Sequence, residues 1–255
     1  MSQDLIGKLK IYYSRSIALS KTLGIFIPDL LDFHDSEIKD ENNPIKGYYK
    51  SKITYLKKND PKHNMLKELL SIEFEKAQLY TPSNLDKIKE NDVKLNIQRE
   101  EILSISYDEL CNKKIVQNPF VNTYESSWEF INNATEKKFS TIEMKGDYYF
   151  VFQLTGMFDR ETQTSILEFP LHKLEYYFLQ LSETPVVLLE VINEFKKVFD
   201  INDLKEENTL NNEIKTMIRK LLFRKFLIFY KEEEYSILKN LSFTTKTFLL
   251  FLINN

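Results

Sequence analysis

The chain has one cysteine, five glycines, seven prolines and one tryptophan among 255 residues. With Cys111 alone, no disulfide can close within the chain and no thiolate-rich metal site can be built. The reducing cytoplasm is therefore the expected compartment. Scarce glycine goes with the absence of G-x-x-x-x-G-K-[ST], G-x-G-x-x-G and G-x-S-x-G patterns, so neither a phosphate cradle nor a nucleophile elbow is expected. It also argues against a turn-rich, all-β fold. Neither sign of charge dominates: 35 basic against 38 acidic residues leave a net charge of -3. No global basic field then recruits nucleic acid or an anionic membrane. Long apolar runs are missing too. "TFLLFLI" (247–253) falls far short of the roughly 20 residues a membrane span needs. The N-terminus "MSQDLIGKLKIYYSRS" lacks the apolar region of a signal peptide. A soluble intracellular protein is the expectation.

What is present is an ordinary globular mixture, 42% hydrophobic and 29% charged, with 19 Phe and 14 Tyr to fill a core. Apolar residues recur at helical spacing over 4–23, with Gly24 as a stop. Pro44 opens a second helix lined by Ile45, Tyr48, Tyr49, Ile53 and Leu56. "KKNDPKHN" interrupts it. A third helix follows, striped by Leu66, Leu69, Leu70, Glu73, Ala77 and Tyr80 and closed at Thr81–Pro82. Residues 83–101 are mostly polar and charged, which reads as a domain boundary or, alternatively, as a long exposed helix.

From about 117 the pattern changes. Val121, Tyr124, Trp128 and Ile131 are spaced as one short helix. "FSTIEM", "DYYFVFQL" and "TSILEF" then form a meander of three strands, separated by "KGD" and "TGMFDRETQ". Helices are expected at 171–181, at 185–199 with Pro185 in its first turn, and, after a polar link, at 213–225. "FLIFY" and "YSILKN" around "KEEE" would make a two-stranded wing. The fold class expected is α+β, mainly α. An N-terminal helical bundle (1–116) precedes a small antiparallel sheet packed on a winged-helix-like three-helix core (117–255).

Candidate chemistry is sparse. "HDSE" places His34 beside two carboxylates, but a metal site needs three or four convergent ligands, and a solvated loop explains the run. His63 in "DPKHN" suits a helix entry, and a lone cysteine is commonly a small buried hydrophobe. No catalytic residue, metal site or cofactor is expected. One basic cluster stands out: Lys215, Arg219, Lys220, Arg224 and Lys225 on helix 213–225. They could follow phosphates in a DNA groove or solvate an outer face. The acidic "KEEE" that follows would repel a duplex. DNA binding is the second reading.

The order "TSILEFP", "LHKLEYYFLQLSETP", "VVLLEVINEFKKVF", "IRKLLFRKFLIF" resembles the peptide-recognition module of ribosomal-peptide natural-product pathways. One such module that it resembles is the small precursor-peptide chaperone of pyrroloquinoline quinone biosynthesis. "MLKELLSIEFEKAQLYTPSN" is similar to helices in partner proteins of multinuclear iron oxidases that modify precursor peptides. The resemblance implies a non-catalytic, cytoplasmic partner that binds a precursor (leader) peptide and pairs with a modifying enzyme, an iron-dependent oxidase, as a heterodimer. It implies strand addition of the leader to the strand at 164–169. Ser165, Leu167 and Phe169 lie on one face of that strand. Thr164, Ile166 and Glu168 lie on the other, and only one set can face the core. Ile166 is expected to pack inward while Ser165 and Leu167 border the peptide groove, a choice that a one-residue slip reverses. Ile214, Ile218 and Lys225 would line the opposing wall.

Overall fold

The computed structural model describes residues 13–27, 44–79, 88, 98, 100–130, 145–159, 164–198 and 204–232. Within them the fold is mixed α/β with two small antiparallel sheets. Helix α1 (Ser14–Leu23) stops where the sequence places its stop. Gly24 adopts φ +65°, and Ile25 N–H donates back to Ser20 O at 2.9 Å. Glycine takes that left-handed turn without strain. Helices α2 (Pro44–Ile53) and α3 (Pro61–Leu79) both begin on proline. Asp60 caps α3, its Oδ1 accepting from Lys62 N–H at 2.9 Å. Aromatic side chains join the three helices: Tyr13 meets Tyr48 at 4.9 Å, and Tyr49 stacks on Phe74 at 4.5 Å.

The polar stretch 83–101 is not a bare connection. Ile88 and Gln98 are buried, and residues 100–104 are helical with Ile102 in the core. Two short elements follow that periodicity did not reveal: α4 (Tyr107–Cys111), capped by a Ser106/Glu109 box, and β1 (Lys114–Gln117). Their brevity hides them, since four or five residues carry no period.

Val121–Trp128 is strand β2, not a helix. Spacing of three and four there was fortuitous, and β-branched and aromatic residues suit a half-buried pleat. The first strand of the meander is thus β2, joined by β3 (Lys145–Asp159) and β4 (Thr164–Leu171) in the order β2-β3-β4. "FSTIEM" and "YSILKN" lie outside the described residues, as does His34. Helix α5 (Lys173–Leu181) follows. Pro185 then precedes a strand, β5 (Val186–Val187), rather than sitting in a first helical turn, and α6 spans Leu188–Val198. Helix α7 (Leu204–Phe223) starts well before residue 213 and absorbs most of the expected polar link. Strand β6 (Leu227–Phe229) closes the second sheet, in the order β5-β1-β6.

Sheet β2-β3-β4 is covered on both faces, which corrects the expectation of a single buried face. Phe150, Phe152, Leu154 and Ile166 join the cluster built by α1, α2 and α3. Tyr149, Val151 and Leu171 join the cluster of α5, α6 and α7. Alternation along each strand sends successive side chains into different cores.

Position 116/117 falls inside β1, the central strand of the second sheet. A chain beginning at residue 117 should therefore fail to fold. It would lack Ile115 and Val116, both fully buried, and the backbone partners of β5 and β6. The check is far-ultraviolet circular dichroism with urea titration of the two fragments. A cooperative transition for 117–255 alone would contradict it.

Candidate functional site

The orientation of backbone groups along the meander follows from three contacts. Leu154 N–H donates to Phe120 O at 3.0 Å, so the even-numbered residues of β3 turn toward β2. The odd-numbered ones, Tyr149, Val151 and Gln153, then bond β4 through Leu171, Phe169 and Leu167. Pro170, which has no N–H, sits opposite Phe150, where no ladder bond is needed. Ser127 N–H points away from the sheet, to Glu68 Oε1 at 2.7 Å, as the same parity requires.

On β4, the strand expected to receive a peptide, the outward backbone groups thus belong to Ile166, Glu168 and Pro170. Leu167 and Phe169 spend theirs on β3. Among the described residues no further strand pairs with this edge, and the Glu168 amide has no partner. Side chains alternate the other way. Leu167 and Phe169 are half-buried on the face toward α7. Phe169 meets Phe226 at 5.5 Å and carries the Arg224 guanidinium over its ring at 5.4 Å. Gln153 Nε2 donates to Arg224 O at 2.9 Å and ties the end of α7 to the sheet.

The expected opposing wall is not assembled as anticipated. Ile214 and Ile218 are 2% and 0% exposed within the core shared by α5, α6 and α7, so they face no groove. Lys225 is half-buried past the end of α7, at φ +61°, and its carbonyl accepts from Asn118 Nδ2 at 2.8 Å. Phe226 N–H returns to Leu221 O, closing the helix with a left-handed residue where glycine is usual. Ser165 lies in β4 next to the irregular pairing between Leu154 and Asp159. Leu167 and Phe169 are brought together with Arg224 in place of the two isoleucines.

On the opposite face, Glu168 enters a cluster the sequence reading missed. Its carboxylate accepts two bonds from Arg15, both at 3.2 Å, and one from Lys76 Nζ. Arg15 Nε also reaches Glu73 Oε1 at 3.4 Å. Glu73, 1% exposed, accepts from the Arg15 and Ser16 amides at 3.1 Å each and from Ser16 Oγ. Two cations and two carboxylates therefore join α1, α3 and β4. Burial alone would raise the Glu168 carboxyl. The charges of Lys76 and Arg15 outweigh it and hold that group at about 2. Burial pushes the Glu73 carboxyl up, against the pull of Arg15, and pushes the Lys76 ammonium down. The signal was a carboxylate, Glu73, inside an otherwise apolar helical stripe.

The basic helix has internal partners. Arg219 donates to Ile102 O at 3.1 Å and Ile105 O at 3.0 Å, capping the helix at 100–104. Lys220 pairs with Glu175 at 2.5 Å, and Lys215 lies 5.1 Å over the Tyr107 ring. His63 accepts from Lys57 N–H at 3.1 Å, and His172 caps α5. Among the described residues no group of three or more side chains is placed to hold a metal ion, and no helix is long and apolar enough to cross a membrane. No known family model, curated protein or solved structure matches this chain.

Proposed function

We propose that the protein is a non-catalytic partner that holds a precursor (leader) peptide by strand addition and presents it to a modifying enzyme. The observation that carries this reading is the outer edge of β4. There the Glu168 backbone faces outward with no partner among the described residues, beside half-buried Leu167 and Phe169 and the exposed Arg224. An unpaired donor and acceptor on an edge are what an extended peptide needs, and flanking side chains give it register. Pro170 limits the pairing to its N-terminal side. Further support lies in the chain order. The meander leads into α5, β5, α6, α7 and β6, the helix–strand–helix–helix–strand succession of a winged helix, with β1 filling the middle of its sheet.

Titration of a labelled candidate leader peptide, encoded beside the gene, into the full chain at moderate salt tests the reading. Saturable binding is expected, and its absence for every neighbouring peptide would overturn it. The second reading, a winged-helix DNA-binding regulator, draws on the same helix order and on the cations of α7. It has less support, because Lys215, Arg219, Lys220 and Arg224 are each engaged within the chain. Retardation of duplex DNA near 50 mM salt, steeply lost at higher salt, would revive it.

A further inference from the structure

The meander has a second outer edge, β2, and nothing in the reading above uses it. By the parity already established, the backbone groups of Val121, Thr123, Glu125 and Ser127 point away from β3. The two ends are occupied within the chain. Val121 N–H donates to Asn118 O at 2.9 Å, Val121 O accepts from Gln117 Nε2 at 2.8 Å, and Ser127 N–H donates to Glu68. Between them, the outward amides and carbonyls of Thr123 and Glu125 have no partner among the described residues. This is a short window on an edge strand, sealed at both ends.

The window lies against α5. Gln180 Nε2 donates to Thr123 Oγ1 at 2.6 Å, which fixes the helix beside the edge. Tyr149, across the ladder from Glu125, meets Tyr176 at 4.8 Å and Tyr177 at 6.2 Å. Tyr177 and Leu181 follow one another on the exposed side of α5, at 44% and 46% exposure. These rings pack on each other too closely to enclose a quaternary ammonium, so they form a platform and not a cage. Its surroundings are acidic. Glu125 is exposed, and Glu125, Asp147 and Glu183 are the carboxylates whose charge reaches Tyr149 or Tyr176. Lys173, over the Tyr177 ring at 5.8 Å, is the facing cation on α5.

We infer that the β2 edge and the tyrosine face of α5 form a second docking strip, one that takes an extended, basic peptide segment. Main-chain bonds to Thr123 and Glu125 would hold the segment. Its arginine or lysine side chains would replace Lys173 over Tyr177, lie over Tyr176 and reach toward Glu125. A second copy of this chain fits less well, because its β2 edge brings the same carboxylates against these. The site is separate from β4, which is the opposite edge of the sheet.

The probe is a labelled octapeptide of alternating arginine and valine, compared with its glutamate–valine counterpart by fluorescence anisotropy on the full chain. The basic peptide should saturate and the acidic one should bind at least tenfold more weakly. Tyr177→Ala and Glu125→Lys, both at exposed positions, should each weaken the basic peptide at least tenfold. Thr123→Pro removes an outward donor together with the hydroxyl that holds Gln180 and leaves the bonds to β3 intact. Thr123→Val, which removes the hydroxyl alone, is its control: only the proline should abolish binding, with an unchanged circular dichroism spectrum. Bound peptide should slow amide exchange at Thr123 and Glu125 and not at Glu168. The inference is overturned if the basic peptide does not bind or the two peptides bind equally. It is also overturned if Tyr177→Ala and Glu125→Lys leave affinity unchanged, or if protection appears at Glu168 instead. Failure of the basic peptide to bind, or of the variants to change its affinity, leaves the leader-peptide reading at β4 untouched, whereas protection at Glu168 would favour that reading.

Discussion

Glu168→Gln should lower the unfolding free energy by about 3–5 kcal/mol, the range for removing one partner from a buried ion pair. The variant keeps the shape of the side chain but leaves Arg15 and Lys76 with only Glu73 to balance them. For a chain of this size the melting temperature should fall by roughly 10 °C. Acid dependence gives a second, independent readout. The carboxyl titrates at about 2 in the folded chain and near 4.5 when ordinary, so its contribution is complete above about pH 5. That contribution disappears as pH falls toward 2. The wild type should lose stability across that interval more steeply than Glu168→Gln. Adding Lys76→Met to the variant leaves Arg15 facing Glu73 at zero net charge and should recover at least half of the loss. A single variant within 1 kcal/mol of wild type would remove the cluster from the account.

Glu75→Gln should do the opposite and stabilise the protein above neutral pH. Glu75 lies on α3, half-buried, without a hydrogen bond or ion pair among the described residues. Tyr13, Tyr49 and Tyr124 lie close enough to sense its charge. Burial lifts its carboxyl to about 7. The folded state therefore holds a proton that the unfolded chain releases between about 4.5 and 7, and stability falls as pH rises through that interval. Glutamine cannot ionise, so the gain at pH 8 is at most about 3 kcal/mol and vanishes at pH 4. Urea titrations at both pH values measure it. An equal effect of the substitution at pH 4 and pH 8 would contradict the assignment.

The helices were legible where composition speaks clearly. Gly24 and Pro44 mark real ends, "KKNDPKHN" does separate two helices, and the run from Thr164 is a real strand. The failures have physical causes. Val121, Tyr124 and Trp128 satisfy a helical spacing by chance, and β-branched neighbours with a sheet partner outweigh that pattern. β1 is four residues long, and its value comes from β5 and β6, far along the chain. Ile214 and Ile218 are spaced as a helix face, but a face buried in a core and one lining a groove look alike in sequence. The ion cluster was half visible. Glu73 breaks an apolar stripe and Glu168 breaks an apolar strand, yet their pairing through Arg15, with Lys76 on Glu168, exists only once α1, α3 and β4 are packed.

Amide hydrogen exchange on the full chain, with and without a saturating leader peptide, tests the central claim most directly. Strand addition at β4 predicts that the Glu168 amide, outward and with no partner among the described residues, slows by at least tenfold when the peptide is bound. The Leu167 and Phe169 amides already bond β3 and should change little. A peptide that saturates the protein while Glu168 exchanges at its free rate would contradict the account.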